Sequence, residues 1–132
     1  MKTTSRSHLI RKVLLWAAGL IVALALVAFV SISLWIGADV RAMSKLAVQD
    51  HPGDRVEALI QYVEDTNHGL RDRNRAIWAL GQLGDRRALP ALRKHHTGEP
   101  CDHATALCQR ELGKAIALLD GGVNATALVW RH

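Results

Sequence analysis

Hydrophobic residues fill one stretch of this chain without a gap and then thin out into a spaced pattern. From Val13 to Ile36 the sequence reads VLLWAAGLIVALALVAFVSISLWI, 24 residues with no charge. At about 1.5 Å of rise per residue this is roughly 36 Å of helix, enough to cross a hydrocarbon core of about 30 Å with some tilt. A helix apolar on every side offers no face to water, and the remainder of the chain is too small to enclose it. Trp16 and Trp35 stand near its ends, where amphipathic rings favour the lipid–water boundary. A cleaved secretory signal is the rival reading. Its apolar region is shorter, about 7–15 residues, and Val40/Ala42 makes only a poor small-x-small site. An uncleaved transmembrane helix over 13–36 is therefore expected.

The helix is predicted to run on past the span. GADVRAMSKLAVQD places Val40, Met43, Leu46 and Ala47 at i, i+3, i+6 and i+7, an amphipathic stripe over 37–52. HPGD, at 51–54, is the first firm break. Four helical patterns follow. Val56, Leu59, Ile60 and Val63 form the first stripe, and NHG closes it. Ala76, Ile77, Leu80 and Leu83 form the second, and Ala88, Leu89 and Leu92 the third, with Pro90 in its first turn, where the missing N–H costs little. The fourth is predicted within DHATALCQRELGKAIALLD, with Ala104, Leu107, Cys108, Leu112, Ala115, Ile116 and Leu119 on one face, ending at Gly121 and Gly122.

These four helices are two copies of one unit. EALIQYV at Glu57 matches PALRKHH at Pro90, an offset of 33, and RAIWALGQLGD at Arg75 matches RELGKAIALLD at Arg110, an offset of 35. Such a period in paired helices is the signature of an α-solenoid, in which each unit buries a face against the next. In the motif between the units, Ala76, Ala79 and Gly81 allow close helix approach. Gly84 tolerates a positive φ at the helix end, and Asp85 can cap the next helix. The Gly-Asp step reads as a structural corner rather than a reaction centre.

The segment RNRAIWALGQLGDRRALPALRKH resembles a HEAT repeat, in particular the bacterial HEAT-like type of the phycobilisome-lyase relatives. The resemblance rests on ALGQLGD closing one helix pair and RRALPAL opening the next. It extends over Gly53 to Asp120, although GKAIALLD replaces a second ALGxLGD. The fold class it implies is all-α: one N-terminal transmembrane helix extended into a long amphipathic helix, followed by a short α-solenoid of two HEAT-like helix pairs. The expected domains are a basic cytoplasmic tail (1–12), the span (13–36), the amphipathic extension (37–52), the repeats (53–120) and a C-terminal tail (121–132). Solenoids generally need about three units to bury a stable core. The extension and the tail VNATALVWRH are therefore expected to act as caps, with a partner protein supplying further cover.

Charge refines the topology. All 12 acidic residues lie from Asp39 onward with thirteen of the 17 Lys and Arg, so most of the net +5 belongs to Lys2, Arg6, Arg11 and Lys12. The positive-inside rule puts that tail in the cytoplasm and the repeats outside, in a bacterial periplasm or its equivalent, with Arg11 and Lys12 at the membrane interface. The basic balance is thus a topology signal, and nucleic-acid binding is not expected.

Candidate chemistry is sparse. Cys101 and Cys108 would stand about 10 Å apart in one helix, beyond the roughly 7 Å disulfide limit. If the helix begins at Asp102 or Thr105, Cys101 can fold back onto its first turns, and a loop-stapling disulfide is the leading reading for an extracytoplasmic location. Free thiols are the other. His95, His96, Cys101, His103 and Cys108 gather zinc-type ligands within 14 residues, but the spacing fits no common zinc pattern, so no metal or other cofactor is expected. No hydrolase, phosphate-loop or paired-acid motif appears, so no catalytic residue, enzyme activity or small-molecule substrate is inferred. Relatives of the family act on bilin chromophores, and repeat resemblance alone does not transfer that activity. Arg71, Arg73 and Arg75 read as a solvated face or a contact for anionic lipid head groups or an acidic partner. Trp78, off its helix's apolar stripe, and Trp130 in the tail are hot-spot candidates or packing residues. The expected function is a membrane-anchored scaffold or adaptor, an accessory or assembly subunit in the bacterial inner membrane. Its partners would be the bilayer and another membrane or periplasmic protein. A periplasmic metal- or redox-handling protein using the Cys–His cluster is the rival.

Overall fold

The computed structural model describes residues 3–102 and 104–131, with side chains from Ser7 onward, and among these residues it contains helices and no strand. The first helix, α1 (Thr3–Asp50), is 48 residues long and unbroken. It holds no proline. It stops where Pro52 disfavours a helical residue before it and Gly53 turns to φ 118°. From Ser7 to Ile32 every side chain is exposed, and an 18-residue window has mean hydropathy 2.8. This one helix is long and apolar enough to cross a membrane.

The outer third behaves differently. Ser33, Gly37, Val40, Met43, Ser44 and Ala47 are buried and lie in one stripe. Leu46, expected in that stripe, is exposed, and Ser44 takes a place inside. On a wheel of about 100° per residue, Leu46 lies about 120° round from Val40, beyond the edge of the contact. The buried Ser44 hydroxyl donates to the Val40 carbonyl (2.8 Å), so it enters the core with its polar atom satisfied.

Helix α2 (Arg55–Glu64) opens on a capping box. Asp54 Oδ1 accepts from the Val56 and Glu57 N–H groups, and the Asp54 N–H donates to Glu57 Oε2. Helix α3 (Leu70–Leu83) ends at Gly84, whose φ of 71° is left-handed and whose N–H donates to the Leu80 carbonyl. A 3-10 turn (Arg86–Ala88), capped by the Asp85 carboxylate on the Arg87 N–H, leads into α4 (Leu89–His95), with Pro90 in its first turn. Helix α5 (Gln109–Leu119) is followed by a four-residue α6 (Ala127–Trp130).

The expected fourth repeat helix is shorter than its periodicity suggested. Asp102 begins a single turn: its side chain accepts from the Ala104 N–H and Thr105 Oγ1, and its carbonyl from the Ala106 N–H. The helix cannot propagate from there, because the Cys108 N–H donates to Asn74 Oδ1 on α3 (2.9 Å) instead of to its own turn. Ala104 is accordingly exposed, while Leu107 and Cys108 are buried.

Packing follows the two-copy pattern. Helix α2 lies on α3, α3 on α5, and α4 on α5, while the outer third of α1 covers α2 and α3, and α6 folds back onto α1. One core joins Val40, Met43 and Ala47 to Leu59, Val63, Ile77, Leu80, Leu92, Leu112 and Leu119. Ala58 and Tyr62 are buried as well, whereas Ile60, Leu83 and Ile116 sit partly buried at its rim. The α1 extension and the tail thus take the covering positions that a two-unit stack lacks.

Small residues set two of these contacts. A Cβ on Gly81 would lie 2.8 Å from Ala115 Cα and 2.9 Å from its Cβ, and one on Gly37 would lie 2.6 Å from the Trp130 side chain. Gly81→Ala is expected to lower the urea midpoint of unfolding: overpacking of about 1–3 kcal/mol exceeds the helix-propensity gain of about 1 kcal/mol. Gly19→Ala, with nothing within 4 Å of the added Cβ, carries only the propensity gain and should not lower the midpoint.

Candidate functional site

The surface of α1 is the largest apolar feature. Leu14, Leu20, Val27 and their neighbours are exposed on all sides of the helix. Trp16 and Trp35, 81% and 69% exposed, bracket this belt at a separation of about 28 Å along the axis. Arg11 and Lys12 are exposed at its N-terminal end. Ser33 removes its own polarity by donating to the Phe29 carbonyl (2.7 Å).

The arginine run does not form one face. Arg73 is buried, and its Nε donates to the Val63 carbonyl at 2.8 Å, satisfying an acceptor that the last turn of α2 leaves free. Arg75 reaches across to α1 and pairs with Asp39 at 2.8 Å. Only Arg71 of the three is exposed. Trp130 is likewise not a surface ring: it is 7% exposed, against Gly37. Arg73 and Trp130 are therefore corrected from contact candidates to packing residues, because each meets a gap left by a distant element. Trp78 is half-buried, lining a shallow groove with Gly81, Gln82, Glu111, Lys114 and Leu118 between α3 and α5.

A second groove, about 430 Å³, opens where α1, the start of α2 and the end of α3 meet. Arg41, Arg55, Arg87 and Arg131 line it with Asp54 and Asp85. Arg87 is already engaged, bridging Asp54 (2.7 Å) and Asp85 (2.9 Å), the caps that open the two repeat units. The Glu57 N–H and the Arg87 guanidinium hold the Asp54 carboxyl below its ordinary pKa, and Arg87 does the same for Asp85. Arg131 donates from Nε to the Gln82 carbonyl (2.9 Å), closing the end of α3 as Arg73 closes α2.

The cysteine–histidine loop comes together in part. With α5 starting at Gln109, Cys101 folds back over the helix start, and its Sγ accepts the Arg110 N–H at 3.1 Å. The Cys108 thiol hydrogen-bonds Cys101, and this contact, followed by the Arg110 N–H, lowers the Cys101 pKa. Both thiols are free. His95 Nε2 is buried without a hydrogen-bond partner, and burial followed by the Lys94 charge lowers the His95 pKa. His96 is exposed, and His103 lies outside the described residues. Among the described residues, this loop supplies no three metal-type donors converging on one point.

One such group does converge elsewhere, and its members are unremarked in sequence: His51, Asp65 and His68, with donor atoms all within 4.8 Å of one another. His51 follows α1, while Asp65 and His68 lie in the turn between α2 and α3. The D-x-x-H spacing of Asp65 and His68 was the only local signal, and nothing in the linear chain points from it to His51.

The sequence model of the PBS lyase HEAT-like repeat family matches residues 72–95, from the first turn of α3 through the Gly-Asp corner to the end of α4. No curated protein and no solved structure matches the chain.

Cys101 is expected to alkylate with iodoacetamide at a lower pH than an ordinary thiol, because its thiolate accepts both the Cys108 S–H and the Arg110 N–H. Cys108→Ala removes the larger of these contributions and should move the rate–pH midpoint upward. An unchanged midpoint would show that Cys108 does not stabilise the thiolate.

Proposed function

From a HEAT-like repeat packed onto the end of a 48-residue helix with an apolar belt, we propose that this chain is a single-span, membrane-anchored scaffold that works by protein contact. One observation carries the reading. The helix with the apolar belt is the same helix that supplies Val40, Met43 and Ala47 to the repeat core, with no break between. A flexible linker would let the repeats wander, whereas a continuous helix holds them at one height and one rotation above the bilayer.

The tryptophan spacing and the tail cations support a span with its N-terminus in the cytoplasm and the repeats on the outer, periplasmic side of a bacterial inner membrane. Contact is the activity that this construction favours. The repeat stack presents a half-buried Trp78 beside Glu111, Lys114 and Leu118, a mixed apolar and charged groove of the kind that protein partners fill. Confinement to the membrane raises the effective concentration of a neighbour, so a modest interface suffices. The role is that of an accessory or assembly subunit in a larger membrane complex.

Two measurements test this. Intact mass of the membrane-extracted protein should include residues 1–36, and a phosphatase fused after His132 should be active outside the cytoplasm. A photoreactive amino acid at Trp78 should crosslink one discrete neighbour in native membranes, and one at Val123, which is 90% exposed, should not. A mature chain lacking residues 1–36 would remove the anchor, and absence of any crosslink at Trp78 would remove the contact surface.

A further inference from the structure

Two histidines lie with their rings locked and one nitrogen of each sealed off. Tyr62 stacks on His68 with centroids 3.7 Å apart and planes 11° from parallel, while His51 stands edge-on to both rings, 5.9 Å from Tyr62 and 5.7 Å from His68. Neither ring can turn freely. His51 Nε2 and His68 Nε2 are both buried and make no hydrogen bond. Buried nitrogens of this kind are normally paired, so an unpaired couple facing one point calls for a missing partner.

One carboxylate, that of Asp65, faces the same point, and that of Asp50 stands beside His68 outside the trio. Asp65 Oδ2 lies 3.7 Å from each of the two Nε2 atoms, and Asp50 Oδ2 lies 3.7 Å from His68 Nε2. These separations are too long for hydrogen bonds. They are close to the distance between neighbouring donors around a four-coordinate ion, about 3.4 Å for bonds of about 2.1 Å. Asp65 is also held for the task. Its Oδ1 accepts from both the backbone N–H (2.9 Å) and the side-chain amide (2.8 Å) of Asn67, which leaves Oδ2 turned toward the imidazoles. Outer contacts of this type orient metal ligands.

We propose that His51, Asp65 and His68 form a binding site for a divalent transition cation of the zinc type, with the half-exposed Asp50 beside His68 turning in as the fourth donor. Two neutral imidazoles and two carboxylates balance a double positive charge. Imidazole nitrogen selects against calcium and magnesium, which prefer all-oxygen shells. Three fixed donors and one on a half-exposed aspartate make a structural rather than a reactive centre. The ion ties the end of α1 to the turn between α2 and α3. It therefore clamps the long helix to the first repeat at the point where Pro52 and Gly53 would otherwise let them hinge. The site does not depend on whether α1 crosses a bilayer.

The test uses the full chain in detergent with every affinity tag removed, stripped with chelator and titrated with Zn2+ alone or Co2+ alone. One equivalent of Zn2+ should bind per chain and raise the thermal midpoint, and Co2+ should give the visible bands of a four-coordinate ion. Mg2+ and Ca2+ at the same concentration should do neither. His51→Ala and His68→Ala should each abolish binding at equimolar metal, while Cys101→Ser/Cys108→Ser should bind as the wild type does. Asp65→Asn, which keeps the shape of the turn, provides the same loss if a histidine variant proves to have lost helicity by circular dichroism. A folded wild-type chain that binds no stoichiometric metal overturns the site, as does binding that survives the histidine variants or disappears with the cysteines.

Discussion

A helix as long as α1 must satisfy two environments with one set of side chains, and the rest of the structure is arranged around how it does so. The belt from Val13 to Trp35 offers apolar side chains in every direction. From Ser33 to Ala47 the same helix narrows to a stripe of small and medium residues that other helices approach. Ser33 and Ser44 can join that stripe because each returns its hydroxyl to its own backbone, and Gly37 because it leaves room for a tryptophan ring. Without this change of character at Ser33, the two repeat units would have no first layer. Their faces from Val56, Leu59, Ile77 and Leu80 would meet water.

The ends of the short helices impose a second constraint. Helices of 7 to 14 residues leave many N–H and C=O groups without intrahelical partners, and a small stack cannot afford to bury them unpaired. The chain meets this with charged side chains borrowed from elsewhere. Asp54 and Asp85 close two helix starts and share Arg87, while Arg73 and Arg131 close two helix ends. Arginines that look like a solvated face in the sequence are thus largely absorbed into the scaffold. The groove beside Trp78 stays open between α3 and α5, next to Gln82, whose carbonyl Arg131 takes.

The positions of turns and the helical class were legible from residues three or four apart: the Pro52–Gly53 break, the Gly84–Asp85 corner, Pro90 in a first turn and the stripes of α2, α3 and α4. Each of these is decided by chemistry within about one helical turn, which linear reading captures. In sequence the fold-back of Cys101 reads as the route to a disulfide with Cys108, whereas the structure keeps both thiols free and starts the helix later, at Gln109. The His–Cys cluster shows the limit of such reading, because proximity in sequence does not make donors converge.

The sequence by itself determined that the chain is helical, that one helix is apolar throughout a membrane-sized length, and that two similar helix pairs follow. Backbone hydrogen bonding and side-chain periodicity are local and need no neighbours to be read. Only the tertiary structure decided that α5 begins at Gln109, because Asn74 on another helix takes the Cys108 N–H. The same holds for Trp130 seated on Gly37, Arg73 turned inward to Val63, and His51 facing Asp65 and His68. In each case the decisive partner lies on a separate element, and the gap it fills exists only once the helices have packed.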